Sequence, residues 1–312
     1  MMENQPLVSI ITPCYNGEAF IDSYFESILN QTYDNIELIL INDGSEDHTD
    51  DLVRKYKGRI KDRGYSFVYI VQNNQGQAAA VNQGLKLFSG DYLSWPDSDD
   101  LMTDNCIEEK VSFLENYPEY GVCICKTAVA KEQDPSQIIS VMERKTPNGR
   151  DTFFEDLIFI RNVYFSPGGY MVRTKALLDV IPDRNIYSGR GGQNAQILLP
   201  VLYKYSCGYI DKILNTYIVR KDSHSHQINT SEKEIEQNRL YQTILLETIK
   251  RIGEDVYTQY EKQIRNHYGR IIYGNAIDSG NKKLIREAYS CLKSISAVSI
   301  KDRLLYVKHG IF

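Results

Sequence analysis

Three short polar strings each follow a strand-like run. TPCYNGE (12–18) follows LVSII, NDGSED (42–47) follows IELILI, and PDSDD (96–100) follows DYLSW. The last string places Asp97, Asp99 and Asp100 in one tight loop. Carboxylates packed this closely repel one another, and a cation relieves the repulsion. Hard oxygen donors suit Mg²⁺ or Mn²⁺, which take few protein carboxylates and complete their shell with substrate phosphates. The cluster therefore predicts a divalent ion bridging a diphosphate, although aspartate is also common in solvated turns. Asp43 opens an Asp-Gly turn. There is no GxGxxG and no Walker A string, so dinucleotide-binding and P-loop readings lose support.

Two further features carry chemistry. His224 and His226 stand two apart, hence on one side of an extended segment. SGRGGQN (188–194) is a glycine-rich helix start of the kind that can hold a phosphate or a glycan. The six cysteines show no framework spacing, and Cys123-x-Cys125 is a weak metal signal. MMENQP has no basic region followed by an apolar one, so reduced cytosolic thiols are expected.

The elements that must position these residues alternate. Strands are expected at Leu7–Thr12, stopped by Pro13, and at Ile36–Ile41, Phe67–Val71 and Asp91–Trp95. Helices are expected at Glu18–Gln31, Asp47–Lys57 and Ala78–Phe88, from their apolar spacing. Strands alternating with helices predict a mostly parallel sheet flanked by helices. In such a sheet ligands bind at the carboxyl ends of the strands, where all three polar strings fall. Further along, strands are expected from Gly121, Gly169 and Gly208, and helices at Thr174–Val180 and Gln193–Tyr205; residues 131–165 are mixed. From Ser231, where Ser231 and Glu234 resemble a capping box, three amphipathic helices are expected at about 232–252, 254–277 and 281–296.

Of the 312 residues, 42% are apolar and 25% charged, ordinary for a globular protein, and no apolar run approaches the roughly 18 residues of a membrane span. The net charge of −5 argues against nucleic-acid binding. Residues 1–231 hold 22 basic and 31 acidic groups (−9), whereas 232–312 hold 14 and 10 (+4). This asymmetry marks a boundary between a catalytic-type domain at 1–228, with halves at about 1–103 and 104–228, and a helical extension at 229–312. The basic helices, ending in KDRLLYVKHGIF, suit either a membrane-surface contact or a solvated appendage used for homodimerisation.

VSIITPCYNGE, ELILINDGSEDHT, NNQGQAAAVNQGLKLFSGDYLSW and DSDDLM together resemble the inverting family-2 glycosyltransferases of bacterial cell-surface polysaccharide synthesis. The resemblance is dense over residues 7–102 and looser to about 226. It implies the α/β GT-A fold, a nucleotide-sugar donor such as a UDP-sugar, a Mn²⁺ or Mg²⁺ cofactor, and a glycan or lipid-linked acceptor. The expected location, from the N-terminus and the cysteines, is cytoplasmic; contact at the inner face of the membrane belongs to the membrane-surface alternative for the basic helices. By resemblance Thr12, Pro13, Tyr15 and Glu18 line or neighbour the base pocket, and Asp43 accepts the uracil N3–H. Asp97 sits by the ribose, Ser98 is a further nucleotide-sugar-binding residue, and Asp99 and Asp100 sit by the metal and diphosphate. His224 is a candidate metal ligand. Two positions depart from the family pattern. Val81 replaces an arginine that commonly helps hold the diphosphate, and Gln193-Asn194 replaces the Glu-Asp pair whose aspartate is the general base. An amide lacks useful basicity. Three explanations stay open: a base from Asp222, His224 or His226; an acceptor needing little base help; or a non-catalytic sugar-nucleotide-binding protein.

Overall fold

The computed structural model describes residues 5–144, 152–164, 166–187, 190–220 and 230–309. The chain divides into two compact units, Met1–Arg220 and Lys221–Phe312.

The first unit is built on one sheet. Its strands are β1 (Val8–Cys14), β2 (Ile36–Asn42), β3 (Ser66–Val71), β4 (Tyr92–Ser94), β5 (Leu101–Met102), β6 (Tyr120–Lys131), β7 (Asp134–Met142), β8 (Tyr170–Arg173) and β9 (Ser206–Val219). They run in the order β3-β2-β1-β4-β8-β6-β9-β5, with β7 paired to β6. β3, β2, β1 and β4 are parallel, joined by crossovers that contain helices. The other half is mixed: β8 is antiparallel to both β4 and β6, and β5 to β9, while β6 and β9 are parallel. The expectation of a mostly parallel sheet therefore holds only for the first half.

β1 and β2 are buried along their whole length, which explains their unbroken apolar runs. α1 (Ile21–Leu29), α2 (Thr49–Asp62) and α4 (Cys106–Asn116) cover one face, where Tyr24, Phe25, Val53 and Ile107 pack on Val8, Ile10, Leu38 and Leu40. α3 (Gln77–Leu85) packs against β1 and β2, and a Cβ on its Gly84 would meet Ile11, so α3 lies on the face that Ile11 presents. Pro13 does not stop β1, which runs on to Cys14. By that point β4 pairing has ended at Ile10, so the missing N–H falls where the strand has a single neighbour.

The remaining helices of this unit are α5 (Phe153–Ile158), α6 (Thr174–Val180) and α7 (Gln193–Lys204). β5 matters most for the site. Its pairing of Leu101 with Thr216 and Met102 with Asn215 fastens the acidic loop, directly preceding it, onto β9.

The second unit contains α8 (Ser231–Ile252), α9 (Glu254–Ser279), α10 (Lys282–Ser294) and a fourth helix, α11 (Ile300–Lys308), beyond the three expected. Ile235, Ile272, Tyr273, Ala276, Ile285 and Leu292 form its core. The cap of α8 is Thr230, whose hydroxyl accepts from the Lys233 N–H; Ser231 is already helical. Thr230 has the extended backbone that an N-cap needs, which corrects the expected register by one residue.

Candidate active site

Because β2, β1 and β4 are neighbouring parallel strands, the three polar strings emerge side by side. The first two are zipped together. Asn16 N–H donates to Ser45 Oγ at 2.9 Å and Glu46 N–H to Asn16 Oδ1 at 2.9 Å. Gly17 N–H donates to Thr49 Oγ1 at 2.6 Å, and Glu18 N–H to Asp47 Oδ2 at 2.9 Å. Glu18 Oε2 in turn accepts from His48 N–H. Thr12 is fully buried with its hydroxyl paired to that of Tyr24, Pro13 lies within β1, and Tyr15 is exposed. The Cys14 thiol is pushed up to about 12, chiefly by burial, so it stays protonated at neutral pH.

Asp43 organises the neighbouring loop. Its Oδ1 accepts from Gln72 Nε2 at 2.7 Å and Gln75 N–H at 2.9 Å, and its Oδ2 from Gly76 N–H at 2.8 Å. A carboxylate offers about four lone-pair directions, so one, on Oδ2, is left for a ligand N–H. Gly76 has φ +94°, and a Cβ there would stand 2.6 Å from Arg190 Cα. Only glycine lets the 72–76 loop close on the chain before α7. That contact is completed by Gln77 N–H to Arg190 O at 3.1 Å and Arg190 Nη2 to Asn74 Oδ1 at 2.7 Å.

The acidic loop is held from three directions. Gln77, at the start of α3, donates from its amide to Asp97. Trp95, directly before Pro96, donates its indole N–H to Asn194 Oδ1 at 2.7 Å and stacks nearly parallel on Tyr170. Arg220, just past the end of β9, forms an ion pair with Asp99 at 2.5 Å while its guanidinium lies 4.1 Å from the Phe20 ring centroid. Burial, and then the Asp99 charge, push the Asp97 carboxyl up to about 8. Burial, followed by Asp97 and Asp99, drives Asp100 well above the usual carboxylate range. Both Asp100 oxygens are buried without a hydrogen-bond partner at normal distance. Ser98 is buried beside them.

This donor set fits a hard divalent cation. Two carboxylates whose charged forms are disfavoured, one with orphaned oxygens, would be stabilised by it. Among the described residues no three His, Cys, Asp or Glu side chains converge into a closed cage.

Asn194 and Gln193 open α7, behind Gly192 in the left-handed region. Both are buried, and Gln193 Oε1 has no partner. Val81 lies wholly in the core, so it offers nothing to a diphosphate. Asp222, His224 and His226 lie outside the described residues. Arg220, Gln77 and Arg190 are additions that the sequence reading did not single out. Arg220 follows a strand with no motif of its own, and only the pairing of β5 with β9 brings it to the acidic loop. None of the six cysteines forms a disulfide. No helix among the described residues is long and apolar enough to cross a membrane.

Residues 9–181 match the profile described as Glycosyl transferase family 2. An uncharacterized glycosyltransferase of Rickettsia typhi is 39% identical over 119 residues, covering 38% of this chain and 35% of that protein. One of Haemophilus influenzae is 41% identical over 111 residues, covering 36% and 43%. The matched stretch thus takes in less than half of either relative. Among solved structures, S. aureus TarS 1–349 in complex with UDP-GlcNAc superposes with a TM-score of 0.61 at 17% identity, covering 97% of this chain and 91% of that one. The mannosyltransferase PcManGT from Pyrobaculum calidifontis, in complex with GDP-Man and Mn²⁺, gives 0.55 at 16%, covering 98% and 80%. These similarities establish the GT-A fold. With the family profile spanning more than half of its length, the chain belongs to the family 2 glycosyltransferases.

Proposed function

We propose that the protein transfers a sugar, with inversion, from a UDP-sugar to a glycan or lipid-linked acceptor in bacterial polysaccharide synthesis, with Mn²⁺ or Mg²⁺ at the acidic loop. The observation that carries this reading is the clustering of Asp97, Asp99 and the buried Asp100 in one loop at the end of β4, next to the ends of the parallel strands β1 and β2. The ion, when bound, would neutralise charge on the leaving diphosphate. Asp99 and Asp100 would hold it, and Asp97 would face the ribose. Asp43 would accept the uracil N3–H through the free lone pair of Oδ2, which disfavours cytosine because its N3 carries no hydrogen. Arg220 would release part of its contact with Asp99 and take up the charge-balancing role that buried Val81 leaves open.

In the transfer, the acceptor oxygen forms a bond to C1 as the bond from C1 to the diphosphate oxygen breaks, and the hydroxyl proton goes to a base. Asn194 cannot take it, because an amide is not basic and its Oδ1 already accepts from Trp95. Asp222 and His224 are the candidates for that proton. The same observation favours a second reading, a sugar-nucleotide-binding protein without turnover.

A UDP-release assay over a donor and acceptor panel separates the two, run beside calorimetric UDP binding. Transfer predicts release from a UDP-sugar that collapses in Asp99→Asn. Binding without release across the panel would favour the second reading, and no UDP binding would overturn both.

A further inference from the structure

The fourth helix of the second unit carries an apolar stripe that faces water. Ile300, Leu304 and Val307 are 78%, 67% and 54% exposed. At about 100° per residue they fall within an arc of roughly 60°. Arg303 lies about 40° beyond one edge of the arc, and Lys308 and Lys301 about 40–60° beyond the other. The opposite side of the helix is fixed. Asp302 is buried and pairs with Arg270 at 3.2 Å, and its main-chain oxygen accepts from Tyr273 at 3.0 Å. Tyr306 stacks on Tyr289 with ring centroids 4.1 Å apart. A capping box between Ser299 and Asp302 pins the first turn. The helix therefore cannot roll its apolar side inward without breaking these contacts.

The surroundings are strongly basic. Residues 282–308 hold seven Lys and Arg against two Asp and Glu, a balance of +5. Both acidic groups are held by arginines of other helices, Glu287 by Arg239 and Asp302 by Arg270. Three side chains on a nine-residue helix fall well short of the roughly 800 Å² per partner that a stable dimer buries, and two copies of so basic a face would repel. An apolar ridge edged on both sides by cations suits an anionic bilayer surface, where the ridge enters the acyl boundary and the cations meet phosphates.

We propose that α11 is a membrane-docking helix, with Ile300, Leu304 and Val307 inserting and Lys301, Arg303 and Lys308 contacting anionic headgroups. The inference rests on the helical unit alone and does not depend on which sugar is transferred.

The test is co-sedimentation of the full chain with phosphatidylcholine vesicles, with and without about one-third phosphatidylglycerol. Each lysine or arginine near such a surface is worth roughly fivefold in partitioning. Binding to the anionic vesicles should therefore exceed binding to neutral ones by at least about tenfold and fall with added salt. Ile300→Ser with Leu304→Ser should abolish it, as should the triple change of Lys301, Arg303 and Lys308 to Gln, with the melting temperature and UDP binding unchanged. A Leu304→Trp reporter should shift its emission to the blue only with anionic vesicles. Equal binding to both vesicles, no binding, or unchanged binding by the variants would overturn the proposal. So would a concentration-dependent dimer, formed without lipid and abolished by the serine pair, which would assign the face to a second copy.

Discussion

Arg220 is the side chain whose loss should separate recognition of the diphosphate from recognition of the base. Arg220→Gln is expected to weaken UDP by about 1.5–3 kcal/mol, the range for a hydrogen bond to a charged group, while uridine binding stays nearly constant. Calorimetry with both ligands checks this, and an equal loss for both would make Arg220 a structural residue of the loop. Asn194 offers a complementary test. Asn194→Asp keeps an acceptor for the Trp95 indole and adds a base, so UDP-sugar hydrolysis should rise; no change would place the side chain away from the reacting carbon. The sequence made Asp43, Asp97 and Asp99 visible because they stand in polar strings that directly follow strand-like runs. It could not show Arg220, which reaches Asp99 across 121 positions of chain. Nor could it show that Asp43 binds three donors of its own loop before any ligand arrives.

The start of α3 and the caps of the later helices carry predictions about local structure. Gly76→Ala must place a Cβ at positive φ against the Arg190 backbone, costing about 1–3 kcal/mol and loosening the 72–76 loop. Thermal unfolding and UDP affinity should both fall. Thr230→Ala should cost about 0.5–2 kcal/mol, and Ser231→Ala almost nothing, since the cap is Thr230. Burial alone would raise the Asp302 carboxyl, but the hydrogen bonds from Ser299 and the Arg270 charge outweigh it and hold it below the usual range. A depressed acid stabilises the fold above its unfolded value, near pH 4, and that contribution fades as pH falls through the lower folded value. Asp302→Asn should therefore melt earlier than the parent at pH 7, and the gap should narrow as the pH falls through the lowered folded value. The buried strands and helices were legible because burial imposes a period on the sequence. β7 was not, because it is exposed along nearly all of its length and leaves no such period. α11 was not among the three expected helices for a related reason: Ile300, Leu304 and Val307 point outward instead of marking a core.

Taken whole, the chain joins an acidic unit with a nucleotide-sugar fold to a basic helical one, each with a core of its own. The first hundred residues were readable because strand, turn and polar string follow one another directly. The second half of the sheet interleaves distant segments, β8 between β4 and β6 and β9 beside β5, and no local pattern announces such pairings. The central claim concerns the three polar strand ends, read as one site for UDP and a divalent ion. Calorimetric titration of UDP into the full chain, with Mn²⁺ and then with chelator, tests it most directly. The account predicts binding at least about tenfold tighter with Mn²⁺, a difference of roughly 1.4 kcal/mol, with that gain lost in Asp99→Asn. Equal affinity with and without the ion, or a gain that survives in Asp99→Asn, would contradict it.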